Sequence, residues 1–291
     1  MLELGAGADI LRSLSWLYIG LIAVLVVLAL WLPSRWWQKL ICVIAVLLVF
    51  TGPAYMRSRE RSQIVDEGKA RYEAAKALFD ERCKTAGEKI HKTVENVEGV
   101  QLLSVRRRAS NADRADPGWI YAALPDEASE DWYIRSFLFW EHLQDGQGQS
   151  DANRAARSYL NATPSPYPGY RFVDAKESNG SFQRYVLVPK EGKLEKSTAE
   201  GQLARYAVSF SSIDTSDVRQ HWIAGAKVIV TDTQSSEVLA EGTWYAFDPG
   251  LGNTDGGRSP WGFAKVCPQS GHGASPTRFF VNQVLKPKQG E

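Results

Sequence analysis

The residues most able to do chemistry lie in one glycine-rich run, residues 250–268 (GLGNTDGGRSPWGFAKVCP). As a phosphate cradle it opens correctly, with Gly250-Leu251-Gly252, but Asp255 stands where the third glycine of G-x-G-x-x-G belongs. Ser259-Pro260-Trp261 also blocks the helix whose N-terminus would face the anion. As a calcium loop it offers Asn253 and Asp255-Gly256, without the first acid in register or the bidentate Glu that closes such a loop. Cys267 and His272 could bring a thiolate near an imidazole. One Cys and one His fall short of a four-ligand zinc site, and no third group orients them as nucleophile and base. Ser259 has the wrong neighbours for a nucleophile elbow. The run therefore reads as a loop that follows a strand and returns at Cys267, with no cofactor and no metal expected.

The remaining histidines, His91, His142 and His221, have little around them. Glu141 precedes His142 with no visible partner. Asp217 and His221 are four apart in a short helical turn, the spacing of a minor surface contact.

Two features suit binding better than catalysis. Arg106, Arg107 and Arg108 form a compact cationic cluster at a strand end, usually solvated and occasionally a dock for acidic groups. Asp126, Glu127, Glu130 and Asp131 precede Trp132, Tyr133, Phe137, Phe139 and Trp140, and an acidic rim beside aromatic anchors has the composition of an interface hot spot. A buried strand behind a solvated acidic loop is the plainer alternative and is placed ahead. The candidate binding residues are Arg106, Arg107, Arg108, Trp132, Tyr133 and Trp140. The sequons at Asn161 and Asn179 are of a kind that arises by chance.

The elements that must position these residues begin in a membrane. Residues 14–32 are nineteen without a charge, and residues 40–56 are seventeen more. At 1.5 Å rise per residue each approaches a ~30 Å hydrocarbon core. Trp16, Tyr18, Trp31, Trp36, Trp37 and Tyr55 sit near the segment ends as interfacial aromatics do. Glu3 and Asp9 against a lone Arg12 make a poor signal peptide. The expectation is a helical hairpin over 1–56 embedded in a membrane. Arg12, Arg57, Arg59, Arg61, Lys69 and Arg71 fall on one side and Arg35 and Lys39 on the other, which favours a cytoplasmic C-terminal part.

Cysteines pull the other way. Cys42 lies in the second apolar segment, which leaves Cys83 and Cys267 for the soluble part. Two such cysteines are what one disulfide requires, in an oxidising compartment; two buried thiols in the cytoplasm are the alternative. The pairing Cys83–Cys267 is expected, and the residues leave the side of the membrane open.

Residues 57–95 read as a membrane-proximal helix running to about Lys92, with Tyr72, Ala75, Phe79, Cys83, Ala86 and Ile90 on one stripe. Residues 96–291 read as an α+β domain of mostly antiparallel sheet, with a division near 190–200 left open. Strands are expected over 97–105, 132–140, 170–173, 182–188, 203–213, 227–232 and 238–247. Asn179-Gly180 and the turn at 233–236 mark two hairpins. Residues 190–200 read as a charged connector and 145–156 as a loop. The run from Pro164 marks a turn, and 278–285 fits a short helix or a strand. Lys and Arg number 34 and Asp and Glu 33, a net charge of +1, which disfavours a nucleic-acid binder.

Three stretches resemble bacterial proteins encoded near type VI secretion lipase effectors. They are residues 77–90 (ALFDERCKTAGEKI) with 93–99 (TVENVEG), then 205–208 (RYAV) with 222–225 (WIAG), and 257–261 (GRSPW) with Cys267-Pro268. The likeness covers the two ends of the soluble part. It implies an immunity protein, anchored in the bacterial inner membrane with its soluble part in the periplasm, that binds a toxic lipase before it damages self membranes. A second apolar segment departs from the single anchor such a protein would carry, and no functional residue carries over. The alternatives are an envelope hydrolase with an unfamiliar site, or a scaffold subunit that uses its membrane hairpin as the interaction surface.

Overall fold

The computed structural model describes residues 5–33, 35–138, 169–188, 193–269 and 275–288. Trp140, His142, His272, the sequon at Asn161, the loop at 145–156 and most of the run from Pro164 lie outside the described residues. The chain divides into two units, Met1–Ala70 and Arg71–Glu291.

The first unit holds helix α1 (Gly5–Trp31) and the greater part of helix α2 (Trp36–Cys83). The two contact each other through Tyr18 and Phe50, whose ring centroids are 6.0 Å apart. The Tyr18 hydroxyl donates to the Phe50 carbonyl at 2.7 Å. Pro53 sits inside α2 and has no N–H to give the carbonyl one turn back. Where the sequence predicts two spans, one helix among the described residues has the length and hydropathy to cross a membrane, and it is α2. Helix α1 carries a shorter apolar stretch, Trp16–Trp31.

The second unit is mixed α and β. Its strands are β1 (Gly87–Ile90), β2 (Val94–Val97), β3 (Gly99–Leu102), β4 (Phe172–Lys176), β5 (Phe182–Leu187), β6 (Leu194–Thr198), β7 (Tyr206–Ser212), β8 (Ile223–Asp232), β9 (Glu237–Phe247), β10 (Lys265–Cys267) and β11 (Leu285–Pro287). Its helices are α3 (Asn111–Ala115), α4 (Glu130–Leu138), α5 (Ser216–Gln220) and α6 (Pro276–Val284). Nine strands form one sheet in the order β1-β9-β8-β7-β3-β4-β5-β6, with β10 also on β9; β11 and β2 pair separately. The sheet is mostly antiparallel, as its hairpins predict. The exceptions are β3, parallel to both β4 and β7, and the parallel pair β11–β2. Short central β3 is buried along its whole length.

Burial follows the period of two along the strands. On one face, Val228 and Val230 of β8, Ala240 and Trp244 of β9, and Val173 and Ala175 of β4 take Ile134, Phe137 and Leu138 of α4 and Phe280, Val281 and Val284 of α6. Ala224, Ala226 and Ala246 continue the same rows and receive Trp119 and Trp261, large rings over small side chains. On the other face, Ile223, Tyr245 and Phe247 take Ala75 and Phe79 from the last turns of α2. Burying a side chain such as Phe79 contributes about 1.5–3 kcal/mol. Further out that face turns polar: Asp174 is fully buried, and Arg184, directly across the hairpin, donates to it at 2.7 and 2.8 Å.

Four segments differ from their sequence reading, each for a physical reason. Residues 130–138 form helix α4, not a strand. The aromatic content is β-prone, but Tyr133, Ile134, Phe137 and Leu138 recur at three and four and pack as one helical face, so burial overrides propensity. Helix α2 stops at Cys83, short of residue 92. Gly87 at φ 134° redirects the chain, and Ile90 lies in β1, where it pairs with Ala240. The expected strand at 97–105 is broken at Glu98 into the end of β2 and β3, and from Ser104 the chain is irregular. The charged stretch at 190–200 contains β6, an exposed edge strand on β5, and such charges suit a sheet edge. At the C-terminus both readings hold in succession, helix α6 and then β11.

The Cys83–Cys267 disulfide forms, with Cα atoms 5.7 Å apart across 184 residues of sequence. Strands β1 and β10 share the outer edge of β9, Gly87 opposite Thr243 and Cys267 opposite Tyr245. The bond thus joins α2, just ahead of β1, to the end of β10, and the two pieces together cover that edge.

Candidate functional site

The glycine-rich run is an anion cradle, but its anion belongs to the protein. Asp248, the residue after β9, is fully buried. Its carboxylate accepts the Gly250 N–H at 3.1 Å and the Gly252 N–H at 2.8 Å. The Arg258 guanidinium closes the other side, with Nη1 donating to Asp248 Oδ2 at 3.0 Å, Nη2 donating to Oδ1, and Nη1 also reaching the Asn253 carbonyl at 3.0 Å. Gly252 must be glycine twice over: its φ is +83°, and a Cβ there would enter the Trp222 indole. The Gly250 and Gly252 N–H groups, the ones a phosphate cradle would use, are thus already taken by an internal carboxylate.

The three arginines separate. Arg107 and Arg108 are exposed, whereas Arg106 is 5% exposed. Its guanidinium lies 5.2 Å from the ring centroids of both Trp119 and Tyr121 and donates to the Pro125 carbonyl at 3.2 Å. Burial draws its pKa down to about 10, and the guanidinium remains charged. The aromatic run separates in the same way. Trp132 is 65% exposed, with Arg135 near its ring, while Tyr133 is buried and its hydroxyl is pushed upward by that burial. Phe137 is also in the core.

The fold brings the basic and acidic segments together. The Glu130 N–H donates to the Arg106 carbonyl at 2.7 Å, which sets the start of α4 beside Arg107. Arg107 pairs with Asp113 at 3.3 Å, and Trp132 has exposed Glu130 and Asp131 before it in the chain and the Arg135 guanidinium 5.8 Å from its ring, charges of both signs.

Beneath it lies the one member of the acidic segment that the sequence could not single out. Glu127 is 7% exposed, and its Oε2 accepts the Thr277 N–H at 2.9 Å and the Thr277 hydroxyl at 2.6 Å. Ser275, at the cap position of α6, makes no side-chain cap, so Glu127 supplies that function from across the fold. Burial raises its carboxyl to about 7, against the lowering effect of Thr277 and Arg106. Arg106 Nη1 and Glu127 Oε1 are buried without a hydrogen-bond partner among the described residues. Both line a cavity of about 10 Å³ with Tyr121, Tyr133, Phe210 and Thr277. That is room for about one water, not for a substrate.

His91 and His221 are exposed, and His221 ends α5 rather than facing any cavity. Among the described residues no cluster of three or more His, Cys, Asp or Glu has metal-binding geometry. Asp214 and Arg219 pair deep in the fold, and Arg219 donates to the Pro117 and Trp119 carbonyls at 3.0 and 2.9 Å, which fixes the turn that carries Trp119. Comparison with family models, with curated proteins and with solved structures gives no match for this chain.

Proposed function

We propose that this chain is a membrane-anchored bacterial binding protein that neutralises a lipase-type effector by stoichiometric binding. The observation that carries the reading is the position of Trp132. It is a large aromatic left 65% exposed at the start of α4, with Glu130 and Asp131 exposed just before it and the Arg135 guanidinium 5.8 Å from its ring. Interfaces draw much of their affinity from such an aromatic, while charges of both signs set register and exclude wrong partners. The likeness of residues 77–90 with 93–99, 205–208 with 222–225, and 257–261 with Cys267-Pro268 to proteins encoded beside lipase effectors suggests the partner class.

Co-expression of the full chain with the lipase encoded beside its gene is expected to give a stable complex. Trp132→Asp should weaken it about 30-fold or more, the equivalent of ~2 kcal/mol, while leaving the thermal midpoint unchanged because the ring is exposed. No lipase gene nearby and no complex on co-expression would remove the reading.

The anchor belongs to the same proposal. Two helices enter the membrane as a hairpin, α1 lying along α2 through the Tyr18–Phe50 contact. Leu17, Leu21 and Val24 on α1 and Leu40, Ile44 and Leu48 on α2 stand exposed, as lipid solvation allows. Arginine and lysine counts favour a cytoplasmic second unit, but a disulfide persists where thiols are oxidised. The second unit is therefore periplasmic in this reading. A periplasm-active reporter fused after Glu291 should be active, and an inactive fusion would place the second unit in the cytoplasm and sink the periplasmic assignment.

A further inference from the structure

Glu127 and Arg106 face the same small cavity without forming an ion pair, each with one buried polar atom lacking a partner among the described residues. An ionised carboxylate in that position keeps two hydrogen bonds on Oε2 and none on Oε1, and a buried charged oxygen without a donor is costly. Proton binding removes that charge while Oε2 still accepts from Thr277. The cavity has room for about one water, a single donor for Oε1, and fuller solvation of the ionised carboxylate means drawing Glu127 away from the first turn of α6.

We propose that Glu127 is the proton-binding group of a latch: proton uptake tightens the tie between the start of α6 and the segment leading into α4, and proton loss loosens it. This goes beyond the partner reading and does not depend on it. The latch sits where movement would matter. Helix α6 runs directly into β11, whose only strand partner among the described residues is β2, and Glu127 lies three residues before the start of α4.

The groups that face Glu127 set the direction. The loop after β3 contributes the Arg106 guanidinium, which favours the ionised form. Tyr121 and, from α4, Tyr133 contribute hydroxyls, and Tyr133 stays protonated because burial pushes it upward. Asp126, next to Glu127 along the chain, is exposed. Strand β7 contributes uncharged Phe210, and α6 contributes Thr277. The next residue of α6, Arg278, turns instead to the Ser136 carbonyl and the Tyr170 ring. Burial outweighs Arg106, and the carboxyl is raised from 4.5 to about 7. A carboxyl that binds its proton more tightly folded than unfolded adds stability that is complete below the unfolded value and is lost as pH rises through the folded one. The window here runs from 4.5 to about 7.

The test uses the full chain in detergent micelles, titrated through that window by infrared spectroscopy with ¹³C-labelled glutamate. One buried protonated Glu carboxyl should be visible at the acid end, disappear near 7, and be absent from Glu127→Gln. Amide exchange at Thr277, corrected for its intrinsic rate, should quicken about tenfold per pH unit across the window in the wild type and stay level in the variant. A carboxyl already ionised at the acid end, or an exchange trend unchanged in Glu127→Gln, overturns the proposal. Should that variant fail to fold, the wild-type infrared titration decides by itself.

Discussion

Reduction of the Cys83–Cys267 disulfide, or its removal by Cys267→Ser, is expected to lower the thermal midpoint of the second unit by about 5–15 °C. A loop closed over 184 residues corresponds to about 5 kcal/mol in the chain-entropy model, and native disulfides commonly deliver 2–4 kcal/mol. For a domain of this size each kcal/mol moves the midpoint by roughly 2–4 °C. Local structure argues that the effect falls at the edge of the sheet. Strand β10 has three residues and pairs only with 245–247 of β9, so two ends of chain must meet on one edge without the bond. Scanning calorimetry with and without reductant measures the effect, and peptide mapping under non-reducing conditions checks the pairing. Exchange at Val266 should rise in the reduced protein. A midpoint indifferent to reductant and to Cys267→Ser would mean that the edge holds by strand pairing and packing alone.

Asp248→Ala is expected to cost about 3–5 kcal/mol, the usual range when one member of a buried ion pair is removed and the other is left uncompensated. Arg258 has 23% of its side chain exposed, so it can turn partly to water, which favours the lower end. Two loop N–H groups, those of Gly250 and Gly252, lose their acceptor at the same time. The whole run from Asp248 to Cys267 should loosen together, which urea unfolding and limited proteolysis would both register. Asp248→Asn keeps one acceptor oxygen but loses the charge that holds Arg258, and should fall between wild type and alanine. Equal stability of the alanine variant would show that Trp222 packing on Gly252, not the carboxylate, shapes the loop.

How much of this was legible depended on the range of the forces involved. Hairpins were readable because Asn179-Gly180 and the 233–236 turn act over four residues, and both lie where expected. The apolar stripe of α2 through Tyr72, Ala75, Phe79 and Cys83 was readable because helical periodicity is local, and it faces the core as predicted. Its end was not, since Ala86 and Ile90 continue the same spacing, and it is the turn at Gly87 and the pairing of β1 on the β9 edge that take the chain out of the helix. Residues 130–138 were misread because an aromatic run satisfies a strand and a helix equally until something packs against it.

The binding candidates show the same boundary. Arg106, Arg107 and Arg108 are one cluster in sequence, yet Trp119 and Tyr121 bury the first and leave the others in solvent. Glu127 is one acid among four until Thr277, 150 residues away, gives its carboxylate a partner. By itself the sequence determined an apolar N-terminus, an α+β second unit with antiparallel hairpins, and the pair of cysteines free to join. Those follow from composition, periodicity and turn chemistry, which act between near neighbours along the chain. Only the tertiary structure decided which charges are buried, which aromatic meets solvent, and which anion the glycine loop holds. Those depend on desolvation by residues distant in sequence, and no local pattern encodes them.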